Sequence, residues 1–512
     1  MPVYNEDSTA VFARLQAIVE SLRRHGGTAQ FDFFVLSDST DATCRAAEEL
    51  GRLDLQQRNP DARIYYRHRD LNTGHKSGNI ADFCKDWGAL YDYMVVLDAD
   101  SLMTGATLMR LVSLMDTNPR TALIQAPPKL VGGETLFARS QQFASWLYGR
   151  LYTAALAKLQ GLDGNYWGHN AIIRMKPFMD NCGLPILSGR PPLGGEIMSH
   201  DFVEAALLRR AGWDLWLLSD ADGSYEASPP TLIEHLKRDR RWCQGNLQHV
   251  RLLFAQGLRL PSRIHLGFGA MSYLASPLWL LSIVLFTVRA VEMQYAAPVS
   301  YIGRYPILAW PISHTVAFVS LVATAMAMLY LPKLLAAIVL LRDRRARLAF
   351  GGARRLLAGA LVESVLSTLL APVFMLSHSW FVLNILIGHN IRWASQPRGG
   401  DGLALSRAIS HFAPHTFIAI GAGILIWRWL PAEFYWYLPL LVGPALAVLI
   451  AWTTGKPAWG EAARRHGLFL VPNETVGLPI VDRFNALQSP SRAPPLGAPT
   501  SIRKSEASLS GV

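Results

Sequence analysis

Several short stretches of this chain place carboxylates and cations where group-transfer chemistry needs them. In YMVVLDADSLM, residues 93–103, an apolar run from Met94 to Leu97 ends in Asp98 and Asp100. Two oxygen donors at i and i+2 on a strand end can share a hard divalent cation, and that cation can hold a diphosphate. Asp also favours turns, so the same pattern occurs as a plain loop. VLSDST, residues 35–40, puts Asp38 after a second apolar strand. A carboxylate there accepts hydrogen bonds from a uracil N–H or a ribose hydroxyl, or it simply ends a turn. NTGHKSGNIADF, residues 72–83, is a glycine-containing loop entering a helix. Lys76 and the backbone N–H groups after it can face phosphate. MSHDFVEAALLRRAGW, residues 198–213, places Asp201 at a helix start, as an N-cap or as a general base that takes a proton from an attacking hydroxyl. In HLKRDRRWCQGN, residues 235–246, Arg238, Arg241 and Trp242 share one helical face. They can steady a leaving diphosphate and stack on a sugar ring, or lie as a basic helix on lipid headgroups. A second Asp-Ala-Asp, Asp220 to Asp222, also follows an apolar run, but Asp222-Gly223 reads as a turn pair. The metal is assigned to Asp98 and Asp100, whose place at a strand tip is the better one for a ligand.

The elements that must position these residues divide the chain in two. Up to about residue 250, short apolar runs alternate with amphipathic stretches. Strands are expected at 31–38, 62–68, 93–100, 121–127 and 213–220, and helices at 10–25, 107–117 and 201–212. The alternation predicts an α/β domain with a mostly parallel sheet covered on both faces, binding ligands at the carboxyl ends of its strands. MPVYNED resembles the loop after a strand, so a shortened N-terminus lacking the first strand is expected.

Beyond residue 264 the texture is that of a membrane protein. Apolar runs near 266–288, 312–341, 356–377, 413–430 and 434–453 are each about as long as the ~20 residues a spanning helix needs. A shorter run, 379–391, follows the third. The loop 342–355 holds six arginines against one Asp, which places it and residues 1–250 in the cytoplasm. Arg392, Arg398 and Arg407 fall on that side only if 379–391 crosses the bilayer or re-enters it, so one of these is expected. The tail is rich in Ser, Pro and Ala, and disorder is expected after about 485. Composition agrees: 51% of the 512 residues are hydrophobic, only 17% are charged, and 15 are Trp. This is too apolar for an ordinary soluble enzyme. The net charge of +11 fits loops facing anionic lipid rather than nucleic acid. Four scattered cysteines with no CxxC give neither a zinc site nor a disulfide framework. No signal-peptide h-region is visible.

Taken in order, PVYNED, SDST, DAD, HD and RDRRW resemble the processive family-2 glycosyltransferases, membrane synthases related to cellulose synthase. Longer stretches narrow the resemblance. RDLNTGHKSGNIADF, GNYWGHNAIIR, GGEIMSHDFVEAALLRRAGW and PPTLIEHLKRDRRWCQGN look like the glucosyltransferase H family of osmoregulated periplasmic glucan synthesis. That resemblance implies a GT-A type nucleotide-sugar domain over 1–255, a helical transmembrane domain with interfacial segments over 264–455, and a cytoplasmic tail over 456–512. It implies a β-1,2-linked glucan made from UDP-glucose at a bacterial inner membrane, coupled to export. Asp38 would contact uridine, and Asp98 and Asp100 would hold the diphosphate through Mg²⁺ or Mn²⁺, with Lys76 beside them. Asp201 would be the base of an inverting displacement, and Arg238, Arg241 and Trp242 would hold the leaving group and the acceptor end. Acyl carrier protein and a periplasmic glucan-processing protein are implied partners. The family carries membrane helices before the catalytic domain that are absent here. Two alternatives compete: a synthase of another polymer, cellulose-like or amino-sugar, and a polysaccharide transporter with an inactive sugar-binding domain.

Overall fold

The computed structural model describes residues 1–295, 299–302, 304–308, 315–390 and 402–488. The first half alternates as expected. Its strands are β1 (Pro2–Val3), β2 (Asp32–Ser37), β3 (Arg63–His68), β4 (Tyr93–Val96), β5 (Leu102–Met103), β6 (Thr121–Gln125), β7 (Lys129–Val131), β8 (Ala171–Arg174), β9 (Asp214–Leu217) and β10 (Ser224–Ala227). Its helices are α1 (Ser8–Arg24), α2 (Ala42–Arg58), α3 (His75–Trp87), α4 (Gly105–Thr117), α5 (Leu136–Gln160), α6 (Met175–Asn181), α7 (His200–Arg210) and α8 (Leu232–His249). Side-chain oxygens start several helices: Asp7 caps α1, Asp41 caps α2, Thr104 caps α4 and Thr231 caps α8. Each satisfies an N–H that the first turn leaves without a partner.

The sheet departs from the expected mostly parallel one. β1, β2 and β3 run parallel, but in the order β4-β8-β6-β9 strand β8 is antiparallel to both neighbours. Only β9 rejoins β6 in parallel. A third sheet, β5-β10-β7, is also mixed. The reason is AIIR at 171–174, a strand that fills the space between β4 and β6 and is too short to show a period. The five expected strands are all present within a few residues of their expected bounds.

The second half contains α9 (Leu260–Tyr295), the hairpin β11 (Val299–Ile302) and β12 (Tyr305–Leu308), then α10 (Thr315–Arg342), α11 (Arg344–Ala349), α12 (Ala353–Leu386), α13 (Leu405–Trp429), α14 (Phe434–Ala445) and α15 (Ala447–Thr454). Helices α9, α10, α12 and α13 are long and apolar enough to cross a membrane, and α14 with α15 forms a fifth candidate bent by 49°. The separate run expected at 379–391 does not exist as such: residues 379–386 continue α12. No glycine or proline interrupts the ladder from Ser377 to Leu386, and the break comes at Gly388, whose φ is +97°. Residue 391 and Arg392 and Arg398 lie outside the described residues. The start of the expected tail is ordered, and its last helix runs three residues past 485. It folds as α16 (Pro457–Arg465), α17 (Pro472–Thr475) and α18 (Pro479–Gln488); residues 489–512 lie outside the described residues. This segment returns to the first half. Glu474 makes a buried ion pair with Arg139 of α5, Phe469 joins Phe143 and Phe350 in one cluster, and Arg483 of α18 pairs with Glu20 of α1 at 2.7 Å.

Candidate active site

Asp98 leaves the end of β4 in a turn closed by its own neighbour: Ser101 N–H donates to the Asp98 carbonyl at 2.9 Å, and Asp98 N–H donates to Ser101 Oγ at 2.9 Å. The Asp98 carboxylate forms an ion pair with Lys76, the second residue of α3. The same ammonium donates to the carbonyl of Gly168 at 2.7 Å, which also accepts from the Tyr166 hydroxyl at 2.8 Å. Gly168 has φ +87°, a conformation that suits glycine, and a Cβ there would stand 3.4 Å from Oδ2 of Asp201. The loop 166–170 is therefore the hub that brings Lys76, Asp98 and Asp201 to one place.

Asp201 sits in the first turn of α7 but does not cap it. The N-cap is Ser199, with no side-chain capping bond. Among the described residues the Asp201 carboxylate has no hydrogen bond or ion pair. The structural role that competed with the base is thus absent, and the carboxylate is left available for a proton.

His169 completes this region. Its Nε2 lies 3.2 Å from Glu226 and its Nδ1 lies 3.4 Å from Ser101 Oγ. Burial alone would depress its pKa. The charges of Asp98 and Glu226 and the Glu226 hydrogen bond outweigh burial and raise it to about 9, so the ring is an imidazolium at neutral pH. Neither His169 nor Glu226 was singled out from the sequence. GNYWGHNAIIR carried the family resemblance, but a lone His beside an apolar run offered no role until β8 and β10 placed it against two carboxylates.

Asp38 is buried at the end of β2, and both its oxygens accept from Arg69, at 2.7 and 2.9 Å. Arg69 also donates to Asp82 and to the carbonyl of His75, the residue before Lys76. A base or ribose arriving here meets an Arg69–Asp38 pair rather than a bare carboxylate. Arg69 is a third residue that sequence reading missed.

Helix α8 carries Arg238, Arg241 and Trp242 as the spacing predicts. The Arg238 guanidinium lies over the Trp242 ring at 4.5 Å, and Trp242 is half-exposed. The next turns bind the segment leading into Asp201. His249 Nε2 and the Ser199 carbonyl are 2.8 Å apart, and Met198 N–H donates to Gln248 at 3.0 Å. A Cβ on Gly245 would lie 2.2 Å from Ser199 Oγ and 2.7 Å from its backbone N, so only glycine allows this approach. Between the arginines, Asp239 is buried and lies 3.0 Å from His378 of α12.

The second Asp-Ala-Asp is differently placed. Asp220 pairs with Arg110 at 2.7 Å and Asp222 with Lys129 at 2.5 Å; these carboxylates are 69% and 87% exposed.

Comparison with known proteins adds to this geometry. The family model "Glycosyl transferase family 2" matches residues 1–181, and "Glycosyl transferase family group 2" matches residues 93–341. A protein of Cupriavidus pinatubonensis named glucans biosynthesis glucosyltransferase H is 44% identical over 478 residues, which are 93% of this chain and 55% of that protein. Relatives with the same name from Rhodopseudomonas palustris and Pseudomonas aeruginosa are 43% and 44% identical; their matches cover 94% and 93% of this chain, and 66% and 55% of theirs. The chain thus spans between about half and two thirds of the length of the relatives it matches. Among solved structures, a mannosyltransferase from Pyrobaculum calidifontis in complex with GDP-Man and Mn²⁺ aligns over 75% of this chain and 85% of its own, with a TM-score of 0.40 and 12% identity. S. aureus TarS aligns over 53% of this chain and 42% of its own, with a TM-score of 0.32 and 14% identity.

Proposed function

The chain belongs to the family-2 glycosyltransferases, and on that premise we propose that it is an inverting glucosyltransferase of a bacterial inner membrane. It takes glucose from UDP-glucose and extends a β-1,2-linked glucan, with residues 1–255 in the cytoplasm and the product passed outward. The observation that carries the reading is the convergence on Gly168 of an unpaired Asp201 and the Lys76–Asp98 pair.

In the reaction an acceptor hydroxyl oxygen forms a bond to the anomeric carbon while the bond from that carbon to the diphosphate breaks. Asp201 accepts the hydroxyl proton. UDP departs with the bond's electron pair. In this reading Lys76 and the arginines of RDRRW take up that negative charge. Trp242 offers a ring face to the acceptor sugar, and the Arg69–Asp38 pair faces the uridine.

A divalent cation fits the residues present, in part. Asp98 and Asp100 are hard oxygen donors, suited to Mg²⁺ or Mn²⁺. Among the described residues no three His, Cys, Asp or Glu side chains converge as a protein-only metal site would require. The remaining ligands would be oxygens of the donor diphosphate and water. When bound, such a cation supplies positive charge to the leaving group. The acyl carrier protein and the periplasmic glucan-processing protein belong to the proposal through the resemblance alone.

The test supplies membranes containing the protein with labelled UDP-glucose and a divalent metal, followed by methylation analysis of the product. A 1,2-linked glucan, lost in Asp201→Asn, is expected. A 1,4-linked glucan or an amino-sugar polymer would overturn the assigned product. Polymer export at the normal rate by Asp201→Asn would overturn the chemistry itself and return the transporter reading.

A further inference from the structure

The helix that carries Arg238, Arg241 and Trp242 is held at both ends by apolar contacts and in its middle by a polar one. At its start, Leu232, Ile233 and Leu236 pack with Leu370 and Val373 of α12. At its end, Cys243 and Leu247 pack with Tyr273 of α9 and with Val382 and Ile385 of α12. Between these clusters α8 is not close-packed. A cavity of about 440 Å³ opens between α5, α8, α9 and α12, and its polar border is made of Gln141, His235, Asp239, Ser276, Ser367 and His378. Apolar burial has no preferred direction, whereas a hydrogen bond fixes both distance and angle. The middle of α8 is therefore set by the polar bonds that reach it beside that gap.

Asp239 makes such a bond. Its carboxylate is buried, and His378 Nε2–H of α12 donates to Oδ2 at 3.0 Å. The Nδ1 of His378 faces Ser276 Oγ of α9 at 3.5 Å. The rings of Tyr273, Phe374 and Phe381 enclose this imidazole, with centroids 5.2, 5.7 and 6.0 Å away. A second ring, His235, stands 3.6 Å from Asp239 one turn earlier on α8. Burial lowers its pKa to about 4, so it is neutral and supplies no opposing charge. Among the described residues, His378 is thus the group from outside α8 that meets this carboxylate. A helix turns once in 3.6 residues, so Asp239 stands about 60° round from Trp242 and about 160° round from Arg241. A bond at Asp239 acts on one flank of α8 and sets the rotation of the helix about its axis. That rotation decides where the Arg241 guanidinium and the Trp242 ring point.

We propose that Asp239 and His378 are positioning residues for the transfer reaction. They fix the rotation of α8 so that Arg238 and Arg241 meet the departing diphosphate and Trp242 meets the acceptor sugar. Ser276 keeps His378 in the orientation that makes the bond. This inference rests on the roles proposed above for the RDRRW side chains. It adds two residues that touch no substrate and lie 139 positions apart in the chain. Through them the apolar helices take part in the geometry of the transfer site.

The test compares three variants of the full chain in detergent by UDP affinity from isothermal titration calorimetry, rate with saturating UDP-glucose, and melting temperature. His378→Phe keeps the ring packing and removes the bond. His378→Gln places an amide N–H near the position of Nε2 and restores it. The double variant Asp239→Leu with His378→Phe removes both polar partners, so no buried carboxylate is left unpaired and the fold is kept. His378→Phe is expected to weaken UDP binding and slow transfer by about tenfold each, below the ~100-fold that a misplacement of about 1 Å can cost. His378→Gln is expected to recover most of both losses. The double variant is expected to melt at or above the wild-type temperature and still to transfer as slowly as His378→Phe. Wild-type rate and UDP affinity in the double variant would overturn the proposal, because the junction would then serve stability alone. So would wild-type values in folded His378→Phe, or a His378→Gln no better than His378→Phe. A wild-type chain that binds no UDP would instead overturn the proposed function, and this inference with it.

Discussion

Asp-Ala-Asp occurs twice in this chain, at 98–100 and at 220–222, each time after an apolar strand, and the fold surrounds the two in opposite ways. Around the first, four groups from three separate segments converge: Lys76 from α3, the carbonyl of Gly168 and the imidazolium of His169 from the loop 166–170, and the unpaired carboxylate of Asp201 from α7. Around the second, each carboxylate has its own surface cation, Arg110 or Lys129, and both stand mostly in water. A ligand can replace the partner of a carboxylate only if further groups are in place to hold it. That condition is met at the first site and not at the second.

The comparison can be broken most directly by rate. Asp98→Asn is expected to lower the rate of glucosyl transfer by roughly 10²–10³-fold, the usual scale for removing one charge-stabilising group from an active site. Asp222→Asn is expected to leave the rate within about twofold, as for an exposed residue with one surface partner. Loss of metal-dependent transfer at Asp222→Asn alone would reverse the assignment. Metal binding sharpens the same point. With UDP present, Mn²⁺ affinity measured by electron paramagnetic resonance should fall about 10–100-fold in Asp100→Asn and stay unchanged in Asp220→Asn, because only the first pair contributes ligands. The partner cations differ likewise. Lys76→Met should slow transfer by about tenfold or more, since it leaves a partly exposed carboxylate and a developing phosphate charge without their cation, while Lys129→Met should not. An equal effect of both would mean that the second turn also faces substrate. The smallest expected effect is on stability. Asp220→Asn removes a pair exposed on both sides and should change unfolding free energy by at most about 1 kcal/mol in detergent melts.

Much of this was legible beforehand. Runs such as FDFFVLSD and YMVVLDAD announced their strands, and the face shared by Arg238 and Trp242 followed from helical spacing alone. What escaped was fixed by contacts distant in the chain. The direction of the sheet turned on four residues, Ala171–Arg174, whose antiparallel place between β4 and β6 no local pattern reports. Asp38 looked like a free ligand for uridine until Arg69, thirty-one residues on, was found to occupy both its oxygens. Asp201 had an ordinary explanation as a cap, and only the backbone at Ser199 removed it. Hydropathy marked α12 correctly as apolar but could not say whether its partner was lipid on all sides or protein on one.

The pairing of Arg139 with Glu474, and of α1 with α18, has a consequence for how the protein is made. The contacts join residues 335 and 463 positions apart. A chain emerging from the ribosome must insert its apolar helices into the bilayer before these partners exist. Until then the Phe143 side of α5 and the outer side of α1 are without the segment that covers them. Maturation of the α/β half is therefore tied to completion of the helical half, and a nascent chain halted before residue 469 holds every proposed catalytic residue without the segment that packs on α5 and α1.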